Sequence, residues 1–140
     1  MYFISTAKQT APQSLSAAIK SGLAKDGGLF VPEQMPRIDL SLLSPELSYP
    51  DFACRLLESF FKGDELASSL RASCESAFHF PIPLKQIDSN TFILELFHGP
   101  TSSFKDFGAH FLAECLAAKA EGLKTIIVAT SGDTGSAVAS

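Results

Sequence analysis

The sequence predicts an α/β fold in two parts: a mostly helical region with short strands over residues 1–80, then over 81–140 a βαβ unit that opens a parallel sheet. Three observations predict it. Apolar residues recur at helical spacing over 51–62 and again from 64 to 77. Pro81 and Pro83 mark an abrupt change to strand-like patterning. A long amphipathic stretch is then followed by a run rich in β-branched residues, Thr125-Ile126-Ile127-Val128-Ala129. Strand, helix and strand in that order favour parallel pairing through a right-handed crossover.

In order along the chain, residues 2–6 are expected to form a short strand. Ser14 caps a helix to about Ala24, with Leu15, Ala18, Ile19 and Leu23 on one face and Gly22 near its end. Asp26-Gly27-Gly28 is a turn, and Leu29-Phe30-Val31 a short strand stopped by Pro32. Prolines at 32, 36, 45 and 50 make the next segment mostly loop with short helical turns. A helix from about Asp51 to Lys62 presents Phe52, Leu56, Leu57, Phe60 and Phe61 on one broad face, with Gly63 as its stop. A second, capped by Asp64, carries Leu66, Leu70, Ala72, Cys74 and Ala77. Neither gathers convergent polar groups, so both are packing elements. Strands over 83–87 and 91–97, joined by Asp88-Ser89-Asn90, form a hairpin. A helix over 104–121 buries Phe104, Phe107, Phe111, Leu112, Cys115 and Ala118 and ends at Gly122, and the strand 125–129 follows.

Composition narrows the function. A chain of 140 residues with 46% hydrophobic residues can bury a core. A formal charge of −4 with scattered Lys and Arg argues against nucleic-acid binding. No apolar run approaches the ~18 residues that would suggest a membrane span, and the N-terminus lacks the basic and apolar regions of a signal peptide. Cys54, Cys74 and Cys115 fit no zinc or CxxC spacing, which favours a reducing, cytoplasmic setting. His79, His98 and His110 are dispersed, so no metal site is expected. The helix begun at 134–140 carries no Gly, Asn or Pro to close it, and the sequence is expected to be the truncated front of a longer chain.

Two stretches carry chemistry. In Leu94-Glu95-Leu96-Phe97-His98-Gly99-Pro100-Thr101-Ser102-Ser103-Phe104-Lys105-Asp106, Ser103 and Asp106 have the spacing of a capping box, so helix begins at Phe104 and Lys105 lies in its first turn. The positive end of the helix dipole disfavours a cation there and eases loss of the ammonium proton. Schiff-base chemistry with an aldehyde requires such an amine. An ordinary surface lysine beside Asp106 also meets this pattern. In Thr130-Ser131-Gly132-Asp133-Thr134-Gly135, small and hydroxyl residues stand at a strand-to-helix junction, where backbone N–H groups can converge on a carboxylate or phosphate. The loop matches neither the Walker nor the dinucleotide pattern, and taken alone it is equally an ordinary capped turn. In a parallel sheet both stretches follow the C-terminal ends of strands and open on one edge, where α/β sheets place ligands.

Ser103-Phe104-Lys105-Asp106 and Thr130-Ser131-Gly132-Asp133-Thr134-Gly135 resemble the pyridoxal-phosphate enzymes of fold type II, the tryptophan-synthase-β-like superfamily. Within it, Leu96-Phe97-His98-Gly99-Pro100-Thr101 and the upstream segment from Gly22 to Glu33 are similar to threonine synthase. The resemblance covers nearly the whole chain, least over 34–80. It implies conversion of O-phospho-L-homoserine and water to L-threonine and phosphate, with pyridoxal 5'-phosphate held by Lys105. It places Ser131, Gly132 and Thr134 at the substrate's α-carboxylate. Many superfamily relatives have Asn where Asp133 stands, and an acid beside a carboxylate would repel it, so Asp133 is assigned to the cofactor side. His98 and Thr101 belong to the motif without a readable role; His98 is either a ligand of the substrate's phosphate or, the favoured reading, a histidine satisfied within its own turn. The cofactor's phosphate loop and most of the larger domain would lie beyond Ser140. The chain by itself is therefore expected to be inactive, to need the remainder of its own chain as partner, and to expose apolar sheet that invites self-association. Two alternatives remain open: a threonine-synthase-like phospho-lyase giving 2-oxobutyrate, and a non-catalytic anion-binding module in which Lys105 is a bystander.

Overall fold

A computed structural model describes residues 1–119 and 125–140. β1 (Phe3–Ser5) and β2 (Phe30–Pro32) pair antiparallel, with Phe3 opposite Pro32 and Ser5 opposite Phe30. Proline is tolerated at the end of a strand of this two-stranded sheet, where no further ladder needs its missing N–H. α1 (Leu15–Ser21) is capped as expected, Ser14 Oγ accepting from Ala17 N at 3.2 Å, and Gly22 N closes it on Ala18 O at 3.0 Å.

α2 (Tyr49–Phe61) starts two residues earlier than the sequence suggested. Ser48 Oγ accepts from Asp51 N at 3.2 Å and donates to Asp51 Oδ2 at 2.6 Å, which caps the helix ahead of Pro50. A proline in the first turn has no N–H to leave unpaired. Asp64 caps a 3₁₀ turn over Glu65–Ser68, and α3 (Leu70–Ala77) follows as a separate helix. The same carboxylate also accepts from Ser16 N at 3.1 Å, so one side chain serves the starts of two elements far apart in sequence.

The hairpin is formed by β3 (Leu84–Gln86) and β4 (Phe92–Leu94), antiparallel with Leu84 opposite Leu94. Asp88 Oδ1 accepts from Asn90 N and Thr91 N, both at 2.9 Å, and this turn sets the register. α4 (Lys105–Ala117) and α5 (Asp133–Ala139) complete the described elements. The expected end of the helix at 120–121 and its stop at Gly122 lie outside the described residues.

Two expectations need correction. The parallel sheet and its βαβ unit do not form among the described residues: both sheets are two-stranded and antiparallel. Residues 125–129 are not a strand, and Ile127 is 90% exposed. A strand exists only where a neighbour accepts its ladder of hydrogen bonds, and β3 and β4 are themselves exposed along their whole length. The buried stripe of α4 is also narrower than expected. Cys115 is buried and Phe107 and Phe111 pack on the core, whereas Phe104, Leu112 and Ala118 are exposed.

One hydrophobic core holds these elements together. Leu15 and Ala18 of α1, Ala53 and Phe61 of α2, Leu66, Leu70, Cys74 and Ala77 at and around α3, and Cys115 of α4 all enter it. Phe78 stacks on Phe111 with ring centroids 5.5 Å apart, and Phe61 meets Phe111 edge-on at 6.0 Å. All three cysteines are free thiols, and burial pushes Cys74 up to about 12 and Cys115 up to about 11. Both are therefore uncharged packing groups at neutral pH. No described helix is long and apolar enough to cross a membrane.

The Asp26 turn is tied to β1. Ser5 Oγ donates to Asp26 Oδ1 at 2.6 Å, Gly28 N to the same oxygen at 3.0 Å, and Gln9 N to Oδ2 at 2.8 Å. The Ser5 hydroxyl, followed by the Gly28 and Gln9 amides, holds this carboxyl well below its ordinary value of 3.8, against an opposing desolvation. A depressed folded value means that the turn's stabilisation is complete above the ordinary value and is lost as pH falls through the folded one. Amide exchange at Gln9 and Gly28 should accelerate as pH drops below 3.8, beyond the intrinsic trend, and Asp26→Asn should abolish that extra dependence. Equal pH profiles for the two proteins would contradict it.

Candidate active site

The chain leaves β4 in an extended run, turns at Gly99-Pro100, and enters α4 at Lys105. The helix starts one residue later than expected, with Phe104 and not Ser103 at the cap position and no side-chain cap; Ser103 Oγ accepts from Lys105 N at 3.3 Å within the preceding turn. Asp106 does not reciprocate, which corrects the expected capping box. Its carboxylate accepts instead from Thr101 N at 3.0 Å and from Thr101 Oγ1 at 2.5 Å, and the side chain is fully buried. A buried carboxylate is tolerable only when bonded in this way. The turn closes so tightly on it that a Cβ on Gly99 would lie 2.3 Å from Asp106 Oδ2. Ser102, two residues before Phe104 on the same turn, is held at φ 57, a region that residues with side chains seldom occupy.

Thr101, Ser102 and Ser103 form one wall of a cleft of about 360 Å³, with Leu96, Phe97, Phe104 and Asp133 around it. Lys105 does not line this cleft but reaches two residues that do: its side chain is about one-third exposed, with Nζ 3.6 Å from Asp133 Oδ2 and 4.8 Å from the Phe104 ring centroid. The structure thus brings together Lys105 and Asp133, which the sequence had placed in two separate motifs. An ion pair this open to water contributes little stability, under ~1 kcal/mol, so its meaning lies in geometry.

Asp133 comes to this point because α5 docks on α4. Ala137 is buried, and His110 Nε2 lies 3.0 Å from Ser140 Oγ. The loop before α5 is organised by Thr130, whose Oγ1 accepts from Gly132 N at 2.9 Å and from Gly135 N at 3.1 Å. Those two N–H groups are occupied by Thr130, which revises the expectation of a fully open cradle. Gly132 sits at φ 140, a conformation that requires glycine. Ser131, Gly132 and Thr134 are exposed beside the cleft, and only Asp133 of this loop lines it.

The sequence pattern leaves two partners unread: that of Asp106, and that of His98, which was expected to be satisfied within its turn. Spacing alone does not distinguish a carboxylate at 106 reaching back to Ser103 from one reaching to Thr101. Glu95 and His98 also pair, Oε2 to Nε2 at 2.7 Å, with the imidazole 4.7 Å from the Phe97 ring. His98 is thus satisfied within its own turn, and an acid and a histidine three residues apart were the available signal. Among the described residues no group of three or more His, Cys, Asp or Glu is placed to hold a metal ion.

Comparison with known proteins places this geometry. Residues 2–78 match the family model described as threonine synthase N terminus. The threonine synthase of Haemophilus influenzae is 43% identical over 127 residues, covering 90% of this chain and 30% of that protein. That of Escherichia coli K12 is 43% identical over 130 residues, with the same coverage. The crystal structure of threonine synthase from Escherichia coli superposes with a TM-score of 0.88 at 36% identity, covering 99% of this chain and 33% of that one. A structure of PLP-bound threonine synthase from Brucella melitensis gives 0.87 at 37% identity, covering 99% of this chain and 32% of that one. The chain spans about 30% of the length of the relatives it matches. With its N-terminal half described by the family model and almost all of its fold shared with these enzymes, the chain belongs to the threonine synthase family.

Proposed function

We propose that this chain forms the N-terminal part of a pyridoxal-phosphate-dependent threonine synthase that converts O-phospho-L-homoserine and water to L-threonine and phosphate. The observation that carries the reading is the meeting of Lys105 with Asp133, which lines the cleft, Nζ to Oδ2 at 3.6 Å. The groups present suit the cofactor: the Lys105 amine beside the cleft for its aldehyde, hydroxyls at Ser102 and Ser103, and the apolar rings of Phe97 and Phe104 beside them. When bound, pyridoxal 5'-phosphate supplies an electron sink that lets the γ-phosphate leave and water add at Cβ.

In this reading Lys105 holds the cofactor through Nζ and then moves protons at the substrate's Cα and Cβ. Asp133 faces the cofactor side, where its carboxylate meets a cation and not the substrate's like charge. Ser131 and Thr134 grip the substrate's α-carboxylate with hydroxyl and backbone donors, and Gly132, its N–H held by Thr130, shapes the loop against it. Residues 81–140 open the cofactor- and substrate-binding domain of the fold type II architecture, and 1–80 form the region packed before it. Further chain would cover β3, β4 and the exposed Ile126, Ile127 and Val128. Without that cover the chain is inactive, and its apolar surface favours self-association. The setting is cytoplasmic, in keeping with three free thiols.

The test is a borohydride trap. The chain is mixed with pyridoxal 5'-phosphate and reduced, and the modified lysine is mapped by mass spectrometry beside a Lys105→Ala control. Adduct concentrated at Lys105 and missing from the control is the expected result. Label spread evenly over surface lysines would mean that this chain by itself does not form the site; the trap is then repeated on the complete chain, where failure at Lys105 would favour an anion-binding module in which Lys105 is a bystander. Assaying the full-length enzyme for L-threonine against 2-oxobutyrate separates the synthase from a phospho-lyase.

A further inference from the structure

We infer that Asp106 is a positioning residue: its buried carboxylate clamps the turn at 99–103 so that the cleft wall and Lys105 keep a fixed relation. This deepens the reading above and rests on it. Three independent observations converge on Asp106. The side chain is fully buried although it stands in the first turn of α4, where carboxylates ordinarily face water. Both of its oxygens are engaged by one residue, Thr101, through the backbone N–H at 3.0 Å and the hydroxyl at 2.5 Å. The backbone is shaped to admit it, since Gly99 leaves no room for a Cβ and Ser102 is held at φ 57.

Thr101 and Ser102 line the cleft while Asp106 is bonded in sequence to Lys105. The clamp therefore ties the wall to the reactive amine through a single rigid contact. Misplacement of a reacting group by about 1 Å can cost on the order of a hundredfold in rate. A turn carrying a left-handed serine would not hold its place without an anchor.

The clamp can be tested with variants that differ in the bonds they keep. Asparagine at 106 can accept from Thr101 N through Oδ1 and donate to Thr101 Oγ1 through Nδ2, which preserves both contacts without the charge. Alanine keeps neither. Thr101→Val keeps the backbone bond and loses the hydroxyl. The readout is the borohydride-trapped adduct at Lys105 divided by that at the other lysines of the same molecules, which serve as an internal standard. Relative to wild type, the ratio should fall by about tenfold in Asp106→Ala and by about threefold in Thr101→Val, and stay within about twofold in Asp106→Asn. Phe61→Leu, a core change away from the cleft, should lower the unfolding midpoint while leaving the ratio intact.

Thr101 amide exchange supplies a readout free of the cofactor: protection should be lost in Asp106→Ala and kept in Asp106→Asn. An unchanged ratio and unchanged Thr101 protection in Asp106→Ala would overturn the clamp. A ratio that falls as far in Phe61→Leu would overturn it as well, because loss of stability alone would then suffice. A wild-type chain with no preference for Lys105 does not form the site by itself, and Thr101 protection still decides whether Asp106 anchors the turn.

Discussion

Truncating Phe61 to alanine is expected to destabilise the chain by about 3–5 kcal/mol, measured as a lower urea midpoint at unchanged m-value. Phe61 is 3% exposed at the end of α2 and meets Phe111 of α4 edge-on at 6.0 Å. Its removal leaves a cavity between two helices, and the Phe61–Phe111 contact that ties them is lost. The matched control is Leu112→Ala on α4, expected to cost less than about 1 kcal/mol because that side chain is 45% exposed. Equal costs for the two variants would mean that α4 presents the face its sequence pattern suggested rather than the one described here.

Gly99→Ala is expected to cost about 2–5 kcal/mol, combining the overlap of an added methyl with a buried acceptor left unpaired. The new Cβ would lie 2.3 Å from Asp106 Oδ2 and 2.9 Å from Asp106 Cβ. A carboxylate at the surface would swing away, but Asp106 is fully buried and is held by Thr101 on both oxygens. Either the turn opens or the two bonds break. Gly108→Ala is the opposite case. Nothing lies within 4 Å of its added methyl and it sits inside α4, so it should stabilise by up to ~1 kcal/mol through helix propensity. Urea unfolding of the pair reads the difference in sign, and a neutral Gly99→Ala would show that the turn is loose.

Local signals in the sequence were strong wherever a single side chain meets its own neighbourhood. Ser14 caps α1 and Asp88 turns the hairpin as the residue pattern required. The cap at Ser48 was equally present, in Ser48-Tyr49-Pro50-Asp51, but Pro50 drew attention as a breaker when it is harmless in a first turn. Helix faces were legible to within a rotation. Apolar spacing showed α4 to be one-sided, yet Phe104 and Leu112 lie outside its buried stripe.

The sequence by itself determined the family, the helices and hairpin, and the two motifs that carry Lys105 and Asp133, because each depends on residues close together in the chain. Only the tertiary structure decided that those motifs meet at 3.6 Å, that Asp106 turns inward to Thr101, and that residues 125–129 remain unpaired. Capping and helical periodicity act over a few bonds and leave a local trace. Which carboxylate is buried, and which β-prone run finds a strand to join, depends on surfaces that approach one another only after the chain has folded.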